Sequence, residues 1–133
     1  MARMNVPAHY KYAVIPHIIV DGAAEAIRFY GTAFGAAELF RLADGDRIEH
    51  AEVSIQGSTL MLSDATAPFA PPSATPSVIL HVYVPDVDSL TAQAEAAGAE
   101  VLSPATDMSY GARQSMLRDP FGHVWILLTP LAP

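Results

Sequence analysis

One order of residues occurs twice in this chain. Ile15-Pro16-His17-Ile18-Ile19-Val20 leads through Asp21-Gly22 into a helix-like stretch that ends at Phe34-Gly35-Ala36. Ile79-Leu80-His81-Val82-Tyr83-Val84 leads through Pro85-Asp86 into a second such stretch, ending at Ala97-Gly98-Ala99. A repeated unit of this size cannot bury its own apolar face, so the two copies must share a core. Ala23, Ala26, Ile27, Tyr30 and Phe34 recur at helical spacing in the first copy, with Gly35 as the stop. Val87, Leu90, Ala94 and Ala97 do so in the second, with Asp86 or Asp88 placed to cap free N–H groups and Gly98 as the stop.

Three short strands are expected after each helix. In the first copy they are 38–42, 48–56 and 58–63, with hairpin signals at Asp44-Gly45-Asp46 and Gln56-Gly57-Ser58. In the second they are 100–103, 112–118 and 123–128. Asp119-Pro120-Phe121-Gly122 makes the last turn: Pro120 presets φ, Asp119 bonds forward to its own backbone, and Gly122 accepts positive φ. The expected fold class is α+β, two βαβββ modules forming a curved mixed sheet around a cleft. Its single domain spans 1–133, with module one at 12–64, a Pro-rich linker at 65–77 and module two at 78–130. Phe69 is the only large apolar residue of that linker, and reads either as a surface pin or as a ligand lid.

Composition removes several functions. The chain of 133 residues holds no cysteine, which excludes disulfides and thiol chemistry and suits the cytoplasm. No apolar run approaches the ~20 residues of a membrane span, and no signal peptide is evident at the N-terminus. Seven Lys plus Arg against a net charge of −7 leave little from which to build a nucleic-acid surface. The acidity fits solubility or attraction of a cationic ligand.

Phe29-Tyr30 with Ala33-Phe34-Gly35-Ala36, and Asp119-Pro120-Phe121-Gly122-His123 with Trp125, carry a family resemblance. Together with the repeat they resemble the vicinal-oxygen-chelate superfamily, the glyoxalase, bleomycin-resistance and dioxygenase fold, and within it the PhnB-like branch. The resemblance covers about 12–130. It implies a metal ligand on the first and fourth strand of each module in metal-dependent members. The matching positions are Ile15, Met61, Ile79 and Ile126. All four are apolar, and a thioether is a poor ligand for a hard or borderline divalent ion. The resemblance therefore comes with no expected metal and no cofactor.

Strand alternation places Pro16, Ile18, Val20, Leu80, Val82 and Val84 toward the helices, and Ile15, His17, Ile19, Ile79, His81 and Tyr83 toward the cleft. His50, Glu52 and Ser54 share one face; Gln114 and Met116 share another; Tyr110 stands at a strand entrance. Each has a structural alternative: a strand histidine is commonly a hydrogen-bonded structural residue, and His50 with Glu52 is either an acid/base pair or an exposed polar face. Trp125 is expected on the helix side, and His123, just after a turn, is expected to be exposed.

The expected ligand-binding set is Ile15, His17, Ile19, His50, Glu52, Met61, Ile79, His81, Tyr83, Tyr110, Gln114, Met116 and Ile126. An apolar pocket with few polar groups suits a bulky, partly aromatic compound. The expected function is thus metal-independent binding or sequestration of a small molecule such as an antibiotic, by a cytoplasmic homodimer with no nucleic-acid or membrane partner. One alternative is a glyoxalase-like lyase or isomerase, or a dioxygenase, with a shifted metal site at His17, His50, Glu52 and His81. Another is a metal-free enzyme with His50 or Glu52 as base.

Overall fold

A computed structural model describes residues 6–10, 12–74 and 76–132. A 3-10 turn at Ala8–Tyr10 precedes β1 (His17–Val20), α1 (Ala23–Phe34), β2 (Ala37–Asp44), β3 (Arg47–Ile55) and β4 (Ser58–Asp64). The second copy runs β5 (Ile79–Tyr83), α2 (Val87–Ala97), β6 (Glu100–Asp107), β7 (Ala112–Arg118) and β8 (Val124–Pro130). Each copy forms its own four-stranded mixed sheet, in the orders β1-β4-β3-β2 and β5-β8-β7-β6. The strand–helix–three-strand order is therefore observed twice. β2 and β6 run longer than expected, because both pair with β3 or β7 along exposed edges.

The two helices pack against each other, and the helix-facing residues of both sheets join one core. Ile18, Val20, Ala51, Val53, Leu60 and Leu62 enter it from the first sheet, and Leu117, Trp125 and Leu127 from the second. Phe29, Tyr30, Phe34, Phe121 and Trp125 form its aromatic centre, with ring centroids 4.8 to 6.2 Å apart. Pro16 departs from expectation. It is exposed and lies outside β1, since a residue without an N–H cannot extend the ladder, though its carbonyl accepts from the Met61 N–H at 2.9 Å.

Helix α2 is capped locally: the Asp86 carboxylate accepts from the Ser89 N–H. Helix α1 begins at Gly22, which has no side chain to cap it, so the cap comes from β4. One Asp64 oxygen accepts the Gly22 and Ala23 N–H groups at 3.0 and 2.8 Å, and the other accepts the Ile48 N–H at 2.8 Å. These bonds outweigh burial and hold the Asp64 carboxyl below its usual range. A remote cap of three bonds joins helix, β3 and β4 at one point. Asp64→Ala is expected to cost about 1–2 kcal/mol, in the range of a lost helix cap, measured as a lower denaturant midpoint with unchanged slope.

Candidate functional site

Register aligns the inward faces residue by residue. His17 pairs with Met61, Met61 with Glu52, and Glu52 with Phe40, making one row across β1, β4, β3 and β2. The equivalent row in the second sheet is His81, Ile126, Met116 and Ser103. The two histidines thus flank equivalent apolar positions, Met61 and Ile126. Beyond them the modules diverge: the first places Glu52 where the second places Met116.

The second sheet's face is apolar. Ile126, Leu128 and Ala112 are buried there with Met116 against them, in a cluster separate from the main core. Gln114 lies beside it and accepts a hydrogen bond from the Tyr110 hydroxyl, whose ring stands exposed. Ile79, His81 and Tyr83 are also exposed. His81 and Tyr83 line a separate hollow between β5 and the β3–β4 hairpin at the start of β4.

The first sheet carries a connected polar cluster. Glu52 is only 5% exposed. One of its oxygens accepts the Tyr10 hydroxyl at 2.7 Å, the other lies 2.9 Å from His50 Nε2. Burial pushes the Glu52 carboxyl up, but the bonds from Tyr10 and His50 outweigh it, so it sits below its usual range. Tyr10 also touches Thr59 at 3.2 Å; that bond pulls its phenol down, the Glu52 bond pushes it up, and the net shift is upward. The His50 and His17 rings lie 5.4 Å apart, and His17 Nε2 is 2.8 Å from Ser63 Oγ. Burial, then the neighbouring His50, lower the His17 pKa and favour its neutral ring.

His17 and Ser63 form part of the floor of a hollow of about 540 Å³, with Ile19, Arg47, Glu49, Asp64, Thr66 and Phe69 around it. Phe69 is 63% exposed and is held by a tight turn in which its N–H donates to the Thr66 carbonyl at 2.8 Å. Arg47 and Glu49 were missed by the alternation rule because of a β-bulge. β3 slips against β2 between Leu42 and Ala43, so that Leu42 opposes His50 and Ala43 opposes Ile48, with Glu49 as the extra residue. The bulge buries Ile48 to 2% exposure and turns Arg47 and Glu49 to the hollow.

The thirteen expected residues are therefore not gathered into one pocket. His17 and Ile19 line the hollow, His50 and Glu52 adjoin it through His17, and Met61 lies between. Ile15 is half-buried before β1 and faces the N-terminal turn. The module-two residues form a second, apolar surface. His123 is corrected as well: it is 9% exposed rather than open to solvent, because its Nε2 reaches the Ile19 carbonyl at 2.9 Å across the seam between the sheets. Of the missed residues, Ser63 had a signal, since it alternates with Met61. Tyr10 had none.

A metal does not fit this site. The four inherited ligand positions are apolar, and among the described residues no three His, Asp or Glu side chains converge to hold an ion. His81 lines a different hollow from His17, so the shifted set of the alternative reading is not brought together.

Paired βαβββ modules around a shared helix layer, with polar groups on one open sheet face, define an α+β class. The chain belongs to the glyoxalase/bleomycin resistance protein/dioxygenase superfamily, whose family model matches residues 8–127. It is 40% identical over 127 residues to an uncharacterized protein of Mycobacterium tuberculosis, covering 90% of this chain and 75% of that protein. It is similar to the crystal structure of TioX from Micromonospora sp. ML1, with TM-score 0.74, 27% identity, and coverage of 89% of this chain and 98% of that one. A Bacillus cereus PhnB protein, described as a putative 3-demethylubiquinone-9 3-methyltransferase, shares the fold at TM-score 0.67 and 21% identity, over 87% and 98% of the two chains. Among the described residues no helix is long and apolar enough to cross a membrane.

Proposed function

We propose that this chain is a metal-independent small-molecule binding protein that takes a bulky, partly aromatic compound, such as an antibiotic, on the open face of module one. The observation that carries this reading is the hollow itself, lined by His17, Ile19 and Ser63 together with the exposed aromatic ring of Phe69. Its size falls in the range of small-molecule pockets, and its walls combine apolar surface with a few polar groups. The bleomycin-resistance branch in the family's description supports the same reading. Modules 12–64 and 78–130 act as one unit, with linker 65–77 contributing Phe69 as a lid.

The protein is further proposed to work as a cytoplasmic homodimer. Ile79 and Tyr83 on β5, and Leu39, Phe40 and Leu42 on β2, are exposed apolar residues beside the two open faces. A second copy brings the module-two set of Tyr83, Gln114, Met116 and Ile126 against the polar set of module one. Sedimentation velocity is expected to give twice the monomer mass.

Binding is tested by a thermal-shift screen with aromatic natural products, with and without added divalent metal. A ligand is expected to raise Tm with concentration, equally after chelation, and Phe69→Ala is expected to remove the shift while leaving the ligand-free Tm in place. A stoichiometric divalent ion in the purified protein, or shifts that require one, would overturn the proposal.

A further inference from the structure

Arg47 and Glu49 line the same hollow, and among the described residues neither is held in a salt bridge, though Arg47 lies near enough to the Asp64 carboxylate to help lower its pKa. Arg47 makes one hydrogen bond, to the Ala65 carbonyl at 3.2 Å, and the rest of its guanidinium is free to bind. Among the described residues Glu49 has neither a hydrogen bond nor an ion pair, and it does not pair with Arg47. Asp64 also borders the hollow, but both its oxygens are committed to three backbone N–H groups. Among the described residues the hollow therefore offers a guanidinium with donors to spare, a carboxylate without a hydrogen bond and one exposed aromatic face, Phe69.

We infer that the ligand of this hollow is an aromatic zwitterion, a compound of the aromatic amino-acid type bearing both a carboxylate and an ammonium group. The inference rests on the reading of the hollow as a binding site. Arginine matches a carboxylate with two parallel hydrogen bonds. Glu49 accepts from an ammonium group, and Phe69 with Ile19 takes the ring by offset or edge contact. The specificity comes as much from exclusion as from attraction. A neutral aromatic compound entering the hollow returns no partner to either charge, and a singly charged one partners only one of them. Only a ligand with both charges satisfies both walls. The bulge in β3 supports this assignment, since it turns two consecutive polar side chains, Glu49 and His50, to the same side of the strand, at the cost of regular pairing.

The test uses four probes that share one ring system: tryptophan, tryptamine, indole-3-acetate and indole, titrated calorimetrically into the full chain at pH 7. Tryptophan is expected to bind at least about tenfold more tightly than the other three, the order of one hydrogen bond to a charged group. Glu49→Gln is expected to bring tryptophan down to the level of indole-3-acetate with an unaltered thermal melt, and Arg47→Gln to the level of tryptamine in a chain that still unfolds cooperatively. Phe69→Ala is expected to weaken all four. Equal binding of the four probes, tighter binding of a singly charged one, or a tryptophan preference that survives both charge variants would overturn the inference. If no probe binds but another aromatic compound does so in a Phe69-dependent manner, the inference alone falls. If nothing binds in the hollow, the binding function falls with it.

Discussion

Asp119→Ala is expected to destabilise the protein by about 3–5 kcal/mol, the range seen when one partner of a buried charged network is removed. The Asp119 side chain is 4% exposed and its carboxylate accepts four hydrogen bonds. One oxygen takes the Phe121 and His123 N–H groups at 2.9 and 3.0 Å, closing the turn before β8. The other takes the Tyr30 hydroxyl at 2.6 Å and the Trp125 indole N–H at 2.8 Å. Tyr30 belongs to α1 and Trp125 to β8, so one carboxylate ties the two modules together inside the aromatic core. Burial, then the Asp119 charge, push the Tyr30 phenol well above its ordinary range, so it stays a donor at any working pH. With alanine at 119, four donors are left in an apolar interior, and each unmade bond costs more than a made one contributes. The expected readout is a fall in Tm of roughly 10 °C or more. Tyr30→Phe should cost less, about 1.5–3 kcal/mol, the usual figure for one lost bond to a charged acceptor. The double variant should fall short of the sum, because both changes break the same bond. An Asp119→Ala protein that melts with the wild type would mean that these four bonds do not hold the modules together.

That network shows where reading the sequence stops. Asp119 is recognisable as a turn residue, because a carboxylate bonding forward to its own backbone is a local event. Its other oxygen reaches Tyr30, 89 residues away in sequence, and no local pattern encodes that. The module order is legible for the opposite reason: helix stops at Gly35 and Gly98, hairpin signals and period-two strands are all short-range, and they occur twice. His123 was expected to be exposed, as the residue after a turn usually is, but its ring folds back to a strand edge of the other module. In the site, His17, His50 and Glu52 follow from alternation. Arg47 and Glu49 do not, because a bulge resets the alternation and is set by the β2–β3 pairing rather than by either strand alone. Tyr10 arrives from the N-terminal turn, 42 residues from Glu52, and had no signal of any kind.

Glu52→Met imposes on module one the residue that module two carries at the equivalent place, Met116. It is expected to lower stability at pH 7 by about 1–3 kcal/mol, because the Tyr10 hydroxyl and His50 lose a buried charged acceptor. The pH dependence separates this from a packing defect. The folded-state carboxyl of Glu52 lies below its usual value of 4.5, so its ionised form stabilises the fold at pH values above 4.5. That contribution falls away as pH drops through the folded-state pKa, where the carboxylate takes up its proton. Wild type and variant should therefore differ most near neutrality and converge in acid. His17 adds a second, earlier loss in both proteins. Its pKa is depressed from 6.5, so the unfolded chain takes up a proton first as pH falls below 6.5, and stability declines from there. Denaturant midpoints from pH 7.5 to 3.5 should fall more in acid for the wild type than for the variant, the decline common to both coming from His17 and from carboxylates such as Asp64 that are also held below their usual range. A difference that stays constant down to pH 3.5 would show that methionine merely packs badly at this position. Convergence would show that the ionised Glu52 carboxylate, bonded to Tyr10 and His50, itself stabilises module one near neutrality.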